Sequence, residues 1–154
     1  MYNQFIKQHS LNSFSITGYK TVISTSNEKE IIDRACSVWQ NEKIADTISD
    51  KINSDLYFVY YDYNDQADPS INNFSMVKSY SMMIGFMTKD GTSQNNTNLE
   101  TINIPEQNYK EFPIKGEWPA ALVNQWQEIR QTSNEDLPRN FLFDMDVYRK
   151  KALL

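Results

Sequence analysis

The feature that most constrains this chain is an order of segments that recurs. Residues 14–25 are rich in β-branched and aromatic side chains (Ile16, Tyr19, Thr21, Val22, Ile23), which predicts a strand. Asn27 with Glu30 forms a capping-box-like helix start, and Ile31, Ile32, Ala35, Cys36, Val38 and Trp39 then fall on one helical stripe. Residues 56–63 read as a dense aromatic strand, and residues 79–88 as an apolar, Met-rich strand ending at the Asp90-Gly91 turn. In the second half, strands over 99–104 and 109–114 precede a helix with Pro119 in its first turn and Leu122, Trp126 and Ile129 on its apolar face. Residues 141–148 are the last strand. Val38-Trp39-Gln40 and Gln125-Trp126-Gln127 hold comparable places in the two helices. The pattern predicts one α+β domain over residues 1–154, built from two pseudo-symmetric β-α-β-β units (about 12–89 and 99–150). It also predicts an antiparallel sheet with both helices on one face and a ligand groove on the other. Residues 1–12 read as a polar lead-in.

Composition excludes several chemistries. No window approaches the roughly 18 apolar residues of a membrane span, and no basic-then-apolar leader is present, so the expectation is a cytoplasmic protein with no membrane partner. With one cysteine (Cys36) there is no intrachain disulfide or thiolate zinc cage, and the one histidine (His9) lies close to the N-terminus. Gly18, Gly85, Gly91 and Gly116 are too far apart for a phosphate loop. A net charge of −5 disfavours nucleic acid and favours solubility and cationic partners. The residues before the first strand are too few for a helix-turn-helix, so no direct DNA binding is expected. No cofactor is implied.

Candidate binding residues follow from strand alternation. Leu142, Asp144, Asp146 and Tyr148 share one side of the last strand; Phe143, Met145 and Val147 share the other. The second set suits the surface under the helices, which leaves Asp144, Asp146 and Tyr148 for the groove, although solvated acids on an open sheet face give the same pattern. A carboxylate among aromatic rings attracts a lipophilic cation through its charge and through cation–π contacts. Asp144-x-Asp146 also admits a hard cation, but too few further ligands accompany it. Tyr57, Tyr61 and Tyr63 are assigned to the groove, since Leu56 and Phe58 suit the drier helix side. Trp118, next to Pro119, is a pocket wall or a staple of the turn, and Met83 an adaptable pocket residue or plain core. Trp39 and Trp126 are assigned to core packing.

Four motifs in register carry a family resemblance: Leu56-Tyr57-Phe58-Val59-Tyr60-Tyr61-Asp62-Tyr63; Ile104-Pro105 with Tyr109-Lys110-Glu111-Phe112; Leu122-Val123-Asn124-Gln125-Trp126-Gln127-Glu128-Ile129; and Asp144-Met145-Asp146-Val147-Tyr148. Over roughly residues 10–150 the chain resembles the GyrI-like (gyrase-inhibitor-like) effector-binding domain, which includes integron-cassette relatives and the ligand domains of multidrug-responsive transcription activators. The resemblance implies a pocket between two SHS2-like repeats for lipophilic, often cationic, small molecules. It places Asp146 where members usually carry Glu, two residues before the tyrosine. It also implies one more apolar strand after Tyr148, where this chain has six residues; without it, a neighbouring segment or a second subunit in a homodimer would cover the sheet edge.

Three functions remain open at this point. The first is a free-standing effector-binding module that senses or sequesters a lipophilic or cationic small molecule. The second is a hydrolase of reactive electrophiles, as in some members of the resembled family, with Asp146 and a groove tyrosine as its acid–base pair. The third is a protein-interaction module such as a gyrase binder. The simplest reading is binding without catalysis, because a paired carboxylate needs no tuning to hold a cation.

Overall fold

The computed structural model describes residues 7–65 and 70–149. In chain order its elements are β1 (Lys7–Leu11), β2 (Phe14–Ser24), α1 (Glu28–Asn41), β3 (Leu56–Tyr61), β4 (Ser79–Thr88), β5 (Glu100–Ile104), β6 (Gln107–Glu111), α2 (Ala120–Gln131) and β7 (Asp144–Tyr148). Five strands form one antiparallel sheet in the order β5-β2-β4-β3-β7. The lead-in instead holds β1, which pairs with β6 in a separate two-stranded ladder, His9 opposite Tyr109. The break between the two ladders falls at Asn12-Ser13 and at Pro105-Glu106, where proline has no N–H to donate.

Both helices sit on one sheet face. Ile31, Ile32, Ala35, Cys36 and Trp39 of α1 pack with Ile23, Tyr80, Met82 and Ile84 of β2 and β4, and with Leu56, Phe58 and Tyr60 of β3. α1 begins where the sequence indicates, after Asn27, yet the Asn27 side chain makes no capping bond. Glu28 and Glu30 favour its positive N-terminal end by charge instead, and Glu30 pairs with Arg34 one turn on. α2 follows Pro119, which is its N-cap residue, and carries Arg130 in its last turn. Trp39 and Trp126 lie on the same face of the sheet, each half-buried.

The opposite face is closed by the sheet itself. Ile16, Tyr57, Val59, Tyr61, Met83 and Ile104 are buried there, and both edges of the sheet join them: Ile102 from β5, and Met145 and Val147 from β7 with Phe143 just before it. Residues from the two edge strands share one cluster, so the sheet curls over this face. Gln107, at the start of β6 just beyond the end of β5, donates its Nε2 to the Phe143 carbonyl at 3.0 Å, so the chain leaving one edge strand meets the chain entering the other. Gly18 and Gly85 are paired at the middle of the curl; a Cβ on Gly18 would stand 1.9 Å from the Ile84 carbonyl oxygen, so only glycine fits.

This curl reverses the sequence assignment of the two strand rows. Phe143, Met145 and Val147 lie away from the helices, while Asp144 and Asp146 stand opposite Tyr60 and Phe58, on the helix side. β7 pairs with β3 alone among the described residues, and it begins at Asp144, since Phe141 turns with a positive φ of 51°. The segment expected after Tyr148 falls largely outside the described residues.

Candidate functional site

The alternation of β3 sets up the site. Tyr57, Val59 and Tyr61 point into the curled interior and are buried; Leu56, Phe58 and Tyr60 point at the helices and stay partly exposed. α1 lies over β2 and β4 and reaches β3, and α2 lies over β3 and β7; beneath them β4 is buried, while Leu56, Phe58 and Tyr60 of β3 are only partly covered. The carboxylates of β7 stand on that floor.

Asp146 is mostly buried and accepts two hydrogen bonds, from Tyr60 Oη at 2.7 Å and from the indole Nε1 of Trp126 at 2.9 Å. One donor comes from β3 and the other from α2, so the acid joins sheet to helix. Burial pushes its carboxyl above the usual range, and the charge of Asp144 adds to this, against the two hydrogen bonds. Burial, then the charge and the hydrogen bond of Asp146, pushes the Tyr60 phenol far up. The Tyr60 ring meets Trp126 and Tyr80 edge-on, with centroids 5.8 and 6.0 Å apart.

Asp144 has different company. Its Oδ2 accepts from Tyr63 Oη at 2.5 Å and from Arg139 Nη2 at 2.9 Å, a charge-assisted pair that is largely buried. Arg139 reaches it from the loop between α2 and β7, with its guanidinium 4.3 Å from the Phe141 ring centre.

At a further end of the face, Glu28 at the start of α1 takes two hydrogen bonds from Arg130 at the end of α2, 2.9 and 3.1 Å long, and a third from Tyr80 Oη at 2.6 Å. Arg130 also lies 3.8 Å from the Phe74 ring centre. This cluster links the two helices. Toward the other end of β7, the Trp118 indole donates to Tyr148 Oη at 3.1 Å, and the Tyr148 ring packs edge-on against Phe58 at 5.6 Å. Trp118 is 66% exposed, an aromatic rim beside a more sheltered floor.

The structure therefore brings together five of the eight residues singled out from sequence: Asp144, Asp146, Tyr148, Tyr63 and Trp118. It separates Tyr57, Tyr61 and Met83, which lie buried on the far side of the sheet. Tyr60, Trp126, Arg139, Arg130 and Glu28 belong to the helix-side set and were not singled out. Trp126 does more than fill core: its indole N–H is spent on Asp146. A tryptophan on an apolar stripe does not announce a polar partner. A solvent-open hollow runs along Lys115–Glu117 and Ala120, Asn124 and Gln125, and holds none of these carboxylates. Among the described residues no group of three or more His, Cys, Asp or Glu could hold a metal, and no helix is long and apolar enough to cross a membrane.

Residues 9–153 match the family model described as Cass2, integron-associated effector binding protein. Among solved structures, an integron cassette protein from the mobile metagenome of Vibrio cholerae superposes with a TM-score of 0.67 at 16% identity, over 96% of this chain and 90% of that one. A bacterial transcription regulation protein from Staphylococcus aureus superposes at 0.68 with 13% identity, over 97% and 90%. A protein solved bound to tetraphenylphosphonium superposes at 0.55 with 16% identity, over 80% and 69%. At these identities the likeness is one of fold. No curated protein matches the chain significantly.

Proposed function

Because the chain belongs to the integron-associated effector binding protein family, we propose that it binds a lipophilic, cationic small molecule on the helix side of its sheet, with Asp146 as the counter-charge. The observation that carries this reading is the setting of Asp146: a mostly buried carboxylate, held by Tyr60 and Trp126 on a floor of Phe58, Tyr60 and Tyr148 that the helices leave partly open. Burial makes such a charge costly, and a soft cation that sheds its hydration cheaply offsets that cost while stacking on the rings. Trp118 and Tyr148 at the rim would be the first aromatic surfaces such a ligand meets. The bound tetraphenylphosphonium of one structural neighbour supports the choice of ligand class.

A hydrolase reading keeps one observation in its favour, the raised carboxyl of Asp146 beside a phenol. Against it, the Tyr60 hydroxyl proton is already committed to Asp146 and its own acidity is suppressed by burial.

Titration calorimetry with tetraphenylphosphonium and with tetraphenylborate, which share a shape and differ in sign, tests the proposal. The phosphonium is expected to bind and the borate to fail. Asp146→Asn should weaken phosphonium binding about tenfold or more while leaving the fold intact. Equal affinity for both ions would refute the electrostatic reading, and turnover of a strained-ring electrophile lost in Asp146→Asn would promote the hydrolase.

A further inference from the structure

Among the described residues, three carboxylates that face the helix side of this sheet take hydrogen bonds there, and their partners differ. Glu28 is paired with Arg130, and Asp144 with Arg139 at 2.9 Å. Asp146 receives hydrogen bonds from a phenol and an indole, both neutral, and has no cationic partner among the described residues. Among the described residues, these two cations against three carboxylates leave one uncompensated negative charge, and its position is Asp146. We infer that Arg139 is a specificity-determining residue: by neutralising Asp144 it makes the site one for monocations and closes it to dications. This inference rests on the cation-binding reading above.

The geometry gives the alternative its dimensions. Asp144 and Asp146 are two residues apart on one face of β7, so their stations lie about 7 Å apart along the strand. Without Arg139, two carboxylates at that spacing would suit a rigid aromatic dication. With Arg139 in place, the second positive centre of such a ligand meets a guanidinium already fixed on Asp144. That guanidinium is well anchored. Its side chain is only 12% exposed, it lies against Phe141, and the Arg139 backbone N–H donates to Asn134 Oδ1 at 2.9 Å. Tyr63 donates to the same carboxylate oxygen, so the neutral and the cationic donor converge on Oδ2 of Asp144.

The test uses the intact chain, with tetraphenylphosphonium as monocation and a para-phenylene-bridged bis(phosphonium) as dication, in titration calorimetry. The wild type should prefer the monocation. Arg139→Gln should raise the affinity ratio of dication to monocation about tenfold or more, and Arg139→Gln combined with Asp144→Asn should return it to the wild-type value. Asp144→Asn alone leaves Arg139 uncompensated and should weaken monocation binding with Asp146 intact, an outcome that keeps the inference open to refutation if Arg139→Gln does not fold. An unchanged ratio in Arg139→Gln, or unchanged monocation affinity in Asp144→Asn, overturns the role of Arg139 and leaves the binding function standing. Failure of the wild type to bind either cation overturns both.

Discussion

The two faces of the sheet are made from the same strands and have opposite characters. On one, Tyr57, Val59, Tyr61 and Met83 are buried under the sheet's own edges. On the other, Leu56, Phe58 and Tyr60, one residue out of phase, stay partly exposed beneath two helices. α1 does cover a core on this face, with Ile23, Tyr80, Met82 and Ile84 buried beneath it; it is the β3 row that stays partly open. A curled sheet can bury one face unaided, whereas two cylinders side by side leave the strip between them open. That strip holds the mostly buried acid, which has no cationic partner among the described residues; the fully buried rows on both faces hold the stability.

The comparison breaks most visibly in a substitution on the dry face. Met83→Ala removes a fully buried side chain, and chemical denaturation should show a loss of about 3 kcal/mol with cation affinity per folded molecule unchanged. A large loss of affinity at full folding would move the site to the wrong face.

Smaller is the effect of the clamp between the helices. Glu28→Ala leaves Tyr80 Oη and Arg130 without their shared acceptor, and should cost about 1–2 kcal/mol. Its more telling readout is ligand affinity, which should fall as the helices lose their fixed separation.

Asp146 should reveal itself through pH. Its carboxyl is raised by burial above the ordinary value of 3.8, so the folded state holds that proton more tightly than the unfolded one. The stability this confers is complete below the unfolded value and is lost as pH rises through the folded one. Urea melts from pH 3.5 to 7 on the order of one-half-unit steps should therefore show the wild type losing ground to Asp146→Asn as pH climbs. Cation binding should run the other way and weaken on acidification, because the proton and the ligand compete for one carboxylate. Parallel pH curves for the two proteins would mean that Asp146 titrates normally.

The least effect on stability belongs to the rim. Trp118→Ala should change the unfolding free energy by less than about 0.5 kcal/mol, since the ring is two-thirds exposed, yet should weaken cation binding.

Much of this was legible in the sequence. Alternation and stripe patterns located β2 to β5 and both helices to within a few residues, and grouped Asp144, Asp146 and Tyr148 on one side of their strand. What alternation cannot say is which side faces what. The curl that decides it depends on the Gly18–Gly85 pairing and on the contact between Gln107 and Phe143, 36 residues apart in the chain. Arg139 and Trp126 escaped notice for a related reason: one lies in a loop and the other on an apolar stripe, and their polar partners are fixed only by tertiary packing. β1 was missed because a five-residue strand in polar sequence has no pattern of its own and exists by pairing with β6.

The three tryptophans offer the most direct test of where a ligand sits. Their indole N–H signals are resolvable by heteronuclear NMR, and two of them, Trp118 and Trp126, donate into the helix-side set. Titration with tetraphenylphosphonium should move both signals saturably, with the methyl signal of Met83 unchanged. Movement of Met83 and of the Tyr57 and Tyr61 rings, with both indoles still, would contradict the account and place the site inside the curl of the sheet.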